Sequence, residues 1–286
     1  MKSQDPNKEH LHSIINLYTE GQLKQALFES SQLLERFPNS VILFNIIGAS
    51  NAALMQFDAA IESYKQALRI KPDFADAYYN MGVALNEKGD PEAAIESYKQ
   101  ALRIKHDYVK AYNNMGVALN DKGDPEAAIE SYKQALRIKP DYADAYNNMG
   151  VALNDKGDPE AAIESYKQAL RIKPDYADAY NNMGSALKDK GDFEGAIDNY
   201  KQALRIKPDF AECHSNLGAA LQLLNQTEQA LASYEKAISL KKDLNTAISG
   251  LGMTLLNKGE HAEGLDKLRQ GDGSIFFNIK SGLSIK

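Results

Sequence analysis

The side chains in this sequence best placed to do chemistry are amides. Asn80, Asn114, Asn148, Asn182 and Asn216 follow one another at intervals of 34 residues. A second row, Asn45, Tyr79, Asn113, Asn147 and Asn181, keeps the same interval one place earlier. Asparagine is a poor helix-interior residue, so a row of them needs a reason. An amide donates and accepts at once, which suits the alternating N–H and C=O of an extended peptide backbone. Each such bond contributes about 0.5–1.5 kcal/mol net, so several together give micromolar binding. Four residues before the amides stand Asp76, Lys110, Asp144, Asp178 and Glu212, and Lys110 interrupts the acidic series. Glu87, Asp121, Asp155 and Asp189 form a further carboxylate row. Such carboxylates would attract a basic ligand, or serve as caps and solvated helix ends.

Other chemistries find little support. Of the five histidines, none stands four residues from another, so no helical metal pair is offered. His106 replaces a proline of the repeat, and His214 a tyrosine. Asn154–Asp158 has the polar character of a calcium loop but lacks its twelve-residue spacing and terminal glutamate. No glycine-rich phosphate loop and no nucleophile–base pairing is found. The expectation is a non-enzymatic chain without cofactor or metal.

Composition sets further bounds. Apolar residues make 43% and charged residues 25% of the 286, and the formal net charge is −6. That charge, with no basic stripe among aromatics, argues against nucleic acid and anionic membrane as partners. The most apolar stretch, 41–55, is broken by Asn45, Ser50 and Asn51 and falls short of the roughly 20 residues of a membrane helix. Residues 1–10 are polar, without the apolar core of a signal peptide. Cys213 is the one cysteine, which suits a reducing compartment, and the expected location is cytoplasmic.

Elements able to hold the amides in register follow from the period. Gly48, Gly82, Gly116, Gly150, Gly184, Gly218 and Gly252 also recur every 34 residues, and 111–142 is identical to 145–176. A single globular core would not accept such copying, whereas a stack of equivalent units would. In the unit from Ala143, Tyr146, Met149, Gly150 and Leu153 make the stripe of an amphipathic helix. Gly157 suits a left-handed helix end, and Asp158-Pro159-Glu160 restarts a second helix. Ala162, Ile163, Tyr166, Ala169 and Leu170 form its buried side, and Pro174 ends it. Asp175 with Asp178 has the spacing of a capping box for the next unit.

This pattern resembles the tetratricopeptide repeat family. The residues that carry the resemblance are an aromatic at the fourth place, Met-Gly or Leu-Gly at the seventh and eighth, and Ala at the twentieth. Tyr at the twenty-fourth, Ala at the twenty-seventh and Pro at the thirty-second complete it. Degenerate units are expected at 7–40, where Ile14 replaces the glycine, and at 245–271, where Gly264 and Gly271 replace alanines. Six well-formed units fill 41–244 between them. The resemblance implies an all-α, right-handed solenoid of about eight helix-turn-helix units, roughly one superhelical turn, with first helices lining a concave groove. The remaining 272–286 differ in kind: Ser274–Ile279 is apolar and strand-like, either a cover for the last unit or the start of a further domain.

The amide rows are similar to those in the superhelix of O-linked N-acetylglucosamine transferases. That resemblance implies that Asn80, Asn114, Asn148, Asn182 and Asn216 hold peptide backbone while Asp76, Asp144 and Asp178 meet its side chains. Asn113, Asn147, Asn181 and Tyr79 belong to the same contact surface. The expected function is a protein-interaction scaffold for an extended polypeptide, with carboxylates that suit a basic one. Because neighbouring units offer the same chemistry, backbone contacts and low sequence specificity are expected. Two alternatives stay open: the recruiting arm of a larger enzyme such as a glycosyltransferase, and a scaffold that pairs with copies of itself through its terminal units.

Overall fold

The computed structural model describes residues 5–272, 275–278 and 282–285. The described residues form sixteen helices in two compact bodies, divided between Pro140 and Asp141. The first body contains α1 (Lys8–Thr19), α2 (Leu23–Arg36), α3 (Val41–Ala53), α4 (Phe57–Ile70), α5 (Ala75–Glu87), α6 (Pro91–Ile104), α7 (Val109–Asp121) and α8 (Pro125–Ile138). The second contains α9 (Ala143–Asp155), α10 (Pro159–Ile172), α11 (Ala177–Asp189), α12 (Phe193–Ile206), α13 (Ala211–Leu223), α14 (Thr227–Leu240), α15 (Asn245–Lys258) and α16 (His261–Asp272). Within each body a helix packs chiefly on the helices next to it in sequence. That is the all-α solenoid, in which stability is a sum of units and the contacts between neighbours.

Local chemistry sets the punctuation. The Asp158 carboxylate accepts from the Ala161 N–H at 3.0 Å, with Pro159 at the first turn of α10. Gly157 holds φ of +85°, a conformation costly for any residue with a Cβ. Asp90, Asp124 and Asp192 cap α6, α8 and α12 in the same way. The expected capping box at Asp175 and Asp178 does not form: α11 starts after Tyr176, which supplies no side-chain cap.

Burial departs from the sequence reading in one respect. On α9 the buried residues are Ala143, Ala145, Asn147, Gly150 and Ala152, while Tyr146, Met149 and Leu153 are half-buried. Small side chains vanish where helices touch closely, and the large ones reach out to the rim of the contact. On α10 the buried set is Ala162, Ile163, Ser165, Tyr166 and Ala169, with Leu170 half-buried.

The glycine and tyrosine that recur sixteen residues apart in successive units are a packing pair. A Cβ on Gly150 would lie 2.5 Å from Tyr166 Cε1, and the same conflict arises at Gly48–Tyr64, Gly82–Tyr98, Gly116–Tyr132 and Gly184–Tyr200. In α1–α2 the sizes are exchanged: Ile14 and Ser30 hold the two places, and both are buried. Beyond α16, β1 (Ile275–Asn278) and β2 (Gly282–Ile285) pair antiparallel, with Ile275 opposite Ile285. The strand expected over Ser274–Ile279 is present as β1. Whether it covers the last unit turns on side chains outside the described residues.

Candidate functional site

The amides sit at the fifth and sixth places of the first helix in each pair. Around these helices the second and thirteenth places are exposed, the sixth and ninth half-buried, and the fifth, eighth and tenth mostly buried. This order follows from 100° per residue and from packing on both flanks. Asn80, Asn114, Asn148, Asn182 and Asn216 therefore reach the surface only in part. Asn113, Asn147 and Asn181 do not reach it, at 5%, 6% and 9% exposure. The sequence reading set these three on the open contact surface; the structure moves them inside.

Burial of the fifth-place amides has a physical cause, because they are spent on one another. In the first body the Asn80 amide donates to Asn45 Oδ1 at 3.0 Å, and the Asn114 amide to the Tyr79 hydroxyl at 3.1 Å. In the second, Asn182 donates to Asn147 Oδ1 at 3.1 Å and Asn216 to Asn181 Oδ1 at 3.0 Å. Three fifth-place amides also donate to the sixth place of their own helix: Asn113 to Asn114, Asn147 to Asn148, and Asn181 to Asn182, at 3.1 to 3.5 Å. Within each body the rows are thus a seam that ties successive first helices, and a buried polar group so satisfied costs little. The seam stops at α15, where Gly250 holds the sixth place against the Tyr234 ring.

The carboxylate rows are also engaged. Tyr108 donates its hydroxyl to Asp76 at 2.9 Å. Burial, with the Asp144 carboxylate beside it, pushes the Tyr176 hydroxyl far above its ordinary range. The aromatic equivalent after Asp178 is Phe210, which has no hydroxyl to give. Glu212 pairs with Lys241 at 3.0 Å, and bonding to its own backbone N–H and to that ammonium holds its carboxyl low. A second seam joins the far ends of the same helices, where Asn86 donates to Asp121 and Asn154 to Asp189 at 3.3 and 3.4 Å.

The sequence reading missed a row of stacked cations. Lys105, Lys173 and Lys207 lie 4.5, 4.3 and 4.6 Å from the ring centres of Tyr108, Tyr176 and Phe210. The signal was available, since a lysine precedes the last aromatic of each of these units by three residues. Cys213 is buried with its sulfur toward the Tyr200 carbonyl, and burial pushes its thiol up to about 12. It stays protonated and unreactive at neutral pH. Among the described residues no group of three or more His, Cys, Asp or Glu could hold a metal ion, and no helix is long and apolar enough to cross a membrane.

Comparison with known proteins gives the arrangement its family. Residues 53–89, 82–123, 116–157, 150–191 and 184–225 match the model of the TPR repeat, and 211–244 that of the tetratricopeptide repeat. A protein of Arabidopsis thaliana described as a probable UDP-N-acetylglucosamine–peptide N-acetylglucosaminyltransferase, SEC, is 41% identical over 76 residues. That match spans 27% of this chain and 8% of the plant protein. Among solved structures, the Cut9–Hcn1 hetero-tetramer of APC/C aligns at a TM-score of 0.71 and 18% identity, over 87% of this chain and about half (49%) of that one. This is a likeness of fold. MamA aligns at 0.53 and 31% identity, over 58% of this chain and 97% of its own. With family models matched from residue 53 to residue 244, the chain belongs to the tetratricopeptide repeat family.

Proposed function

We propose that this protein is an interaction scaffold that holds an extended segment of another polypeptide on the first-helix face of its bodies. The six well-formed units over 41–244 carry this face within each body, between the divergent units 7–40 and 245–271. The observation that carries this reading is the row of half-buried sixth-place amides, each held at a fixed 34-residue interval by bonds to neighbouring side chains. An amide has two N–H groups and an oxygen with two lone pairs. The seam uses one N–H and one lone pair of Asn182, so the other of each stands for a guest backbone. The fifth-place amides are positioning residues in this scheme, not contacts. Orientation fixed before binding lowers the entropy cost of the bond. Exposed Asp144 and Asp178 add attraction for basic residues. The lone, buried Cys213 fits work in a reducing, cytoplasmic setting.

The test is capture of partners from lysate by the intact chain and by Asn114→Ala, Asn182→Ala and the double variant, with melting temperature as control. Loss of the same partners at an unchanged melting temperature supports the scheme. Equal capture removes the amide row from it. A second reading has an observation of its own in the match to the plant transferase. In that reading the array is the recruiting arm of a larger glycosyltransferase, and the full open reading frame distinguishes the two.

A further inference from the structure

The amide row is not uniform, and its departures gather in one place. Where Asn113, Asn147 and Asn181 stand in other units, the unit from Ala75 has Tyr79. Where Asp76, Asp144 and Asp178 stand, the next unit has Lys110, and His106 replaces the proline just before it. In a chain whose neighbouring units are otherwise near copies, three such changes around one junction are unexpected from scattered drift. In the first body Tyr79 meets the segment that carries His106 and Lys110 through Tyr108, which lies between those two in sequence, and through Asn114. The rings of Tyr79 and Tyr108 lie 4.9 Å apart, and those of Tyr79 and Tyr98 6.0 Å apart. Lys105 caps the Tyr108 ring at 4.5 Å, and the Tyr108 hydroxyl is fixed on Asp76 at 2.9 Å. Asn114 donates to the Tyr79 hydroxyl, so that hydroxyl is an acceptor toward the seam and keeps its own proton to give. Lys110 lies one helical turn before Asn114 on α7, is exposed, and makes no ion pair among the described residues.

We propose that this junction sets the register of the guest, by taking an acidic side chain between the Lys110 ammonium and the Tyr79 hydroxyl. The inference rests on the polypeptide-holding scheme above and adds a sequence preference to it. Repeating amides alone let an extended chain slip by one unit at no cost. A single station of opposite charge makes one register better than the others. It departs from the expectation of low specificity, because one carboxylate of the guest is read even if its remaining backbone is not. Asp76 and Lys110 form no ion pair among the described residues, and the Asp76 carboxylate accepts from Tyr108 instead.

The probe is a displayed library of random 16-residue peptides, selected on the full chain, on Lys110→Asp and on Lys110→Ala. Circular dichroism confirms that the variants keep their helix content. The expected result is a wild-type pool with Asp or Glu at one fixed position, absent from the alanine pool and replaced by Lys or Arg in the aspartate pool. In a synthetic peptide from the wild-type pool, Glu→Gln at that position should weaken binding roughly five- to tenfold at low salt, as expected for one charge-assisted contact. Against Lys110→Asp the same change should weaken it less than twofold. Peptides retained without an acidic position, or with the same acidic position on Lys110→Asp, overturn the station and leave the holding scheme standing. No peptide retained above the level of Asn114→Ala/Asn182→Ala overturns both.

Discussion

Gly150 and Tyr166 show how tightly single residues are specified. The tyrosine ring is buried and rests where a Cβ on the glycine would be. Gly150→Ala should destabilise by about 1–3 kcal/mol through overpacking, less up to about 1 kcal/mol of helix propensity. The pair Ile14 and Ser30 suggests a repair: Gly150→Ile with Tyr166→Ser should cost less than the sum of the single changes by about 1 kcal/mol or more. Urea midpoints of the four proteins check this. Buried hydroxyls make a second prediction. Burial pushes Tyr200 and Tyr234 up to about 12 from an ordinary 10. Between those values the unfolded chain has lost protons that the folded chain retains, so stability falls as pH rises. The loss is about 1.4 kcal/mol per pH unit for each tyrosine, and these tyrosines cause none below pH 9 or so. Denaturant titrations at pH 8, 10 and 11 measure it, and Tyr200→Phe should make the decline shallower.

Helices of this chain begin and end where the sequence punctuates them, but not at every apparent signal. Asp158 and Asp175 look alike on paper, each standing just before a helix. Only Asp158 has its carboxylate on a helix N–H, because the chain turns at Gly157 and presents it there. At Asp175 the helix starts two residues later, after Tyr176. Asp158→Ala should therefore cost about 1 kcal/mol, and Asp175→Ala should stay within about 0.5 kcal/mol of the parent. Gly157→Ala should cost about 1–2 kcal/mol for the left-handed backbone. Thermal melts of the three variants separate these outcomes.

At the scale of the molecule, the chain divides into two bodies, 1–140 and 141–286, each with its own buried clusters. In a solenoid the contacts that stabilise a unit come from its neighbours, and no distant segment is needed to close the core. Each fragment made separately should therefore keep a mean helicity close to that of the whole chain. Far-UV circular dichroism and a cooperative melt test it; a fragment with a coil spectrum would contradict the division.

The sequence by itself determined the period, the number of helices and the places of their turns. Those depend on interactions within a few residues, and each unit repeats them: Gly150 with Tyr166, Gly157 with φ above zero, Asp158 on its helix N-terminus. It also placed the sixth-place amides on one common side of their helices, because a fixed spacing on a helix is a fixed direction. Only the tertiary structure decided what those amides do. Asn147 reads as one more surface amide, yet it is buried, since α11 lies against it and brings Asn182 within hydrogen-bonding distance. Tyr108 and Asp76 are 32 residues apart in sequence, and their bond needs α5 and the turn before α7 to be in place. Hydrogen bonds between units depend on distances that no spacing along the chain encodes, and they emerge only when one helix pair is laid on the next.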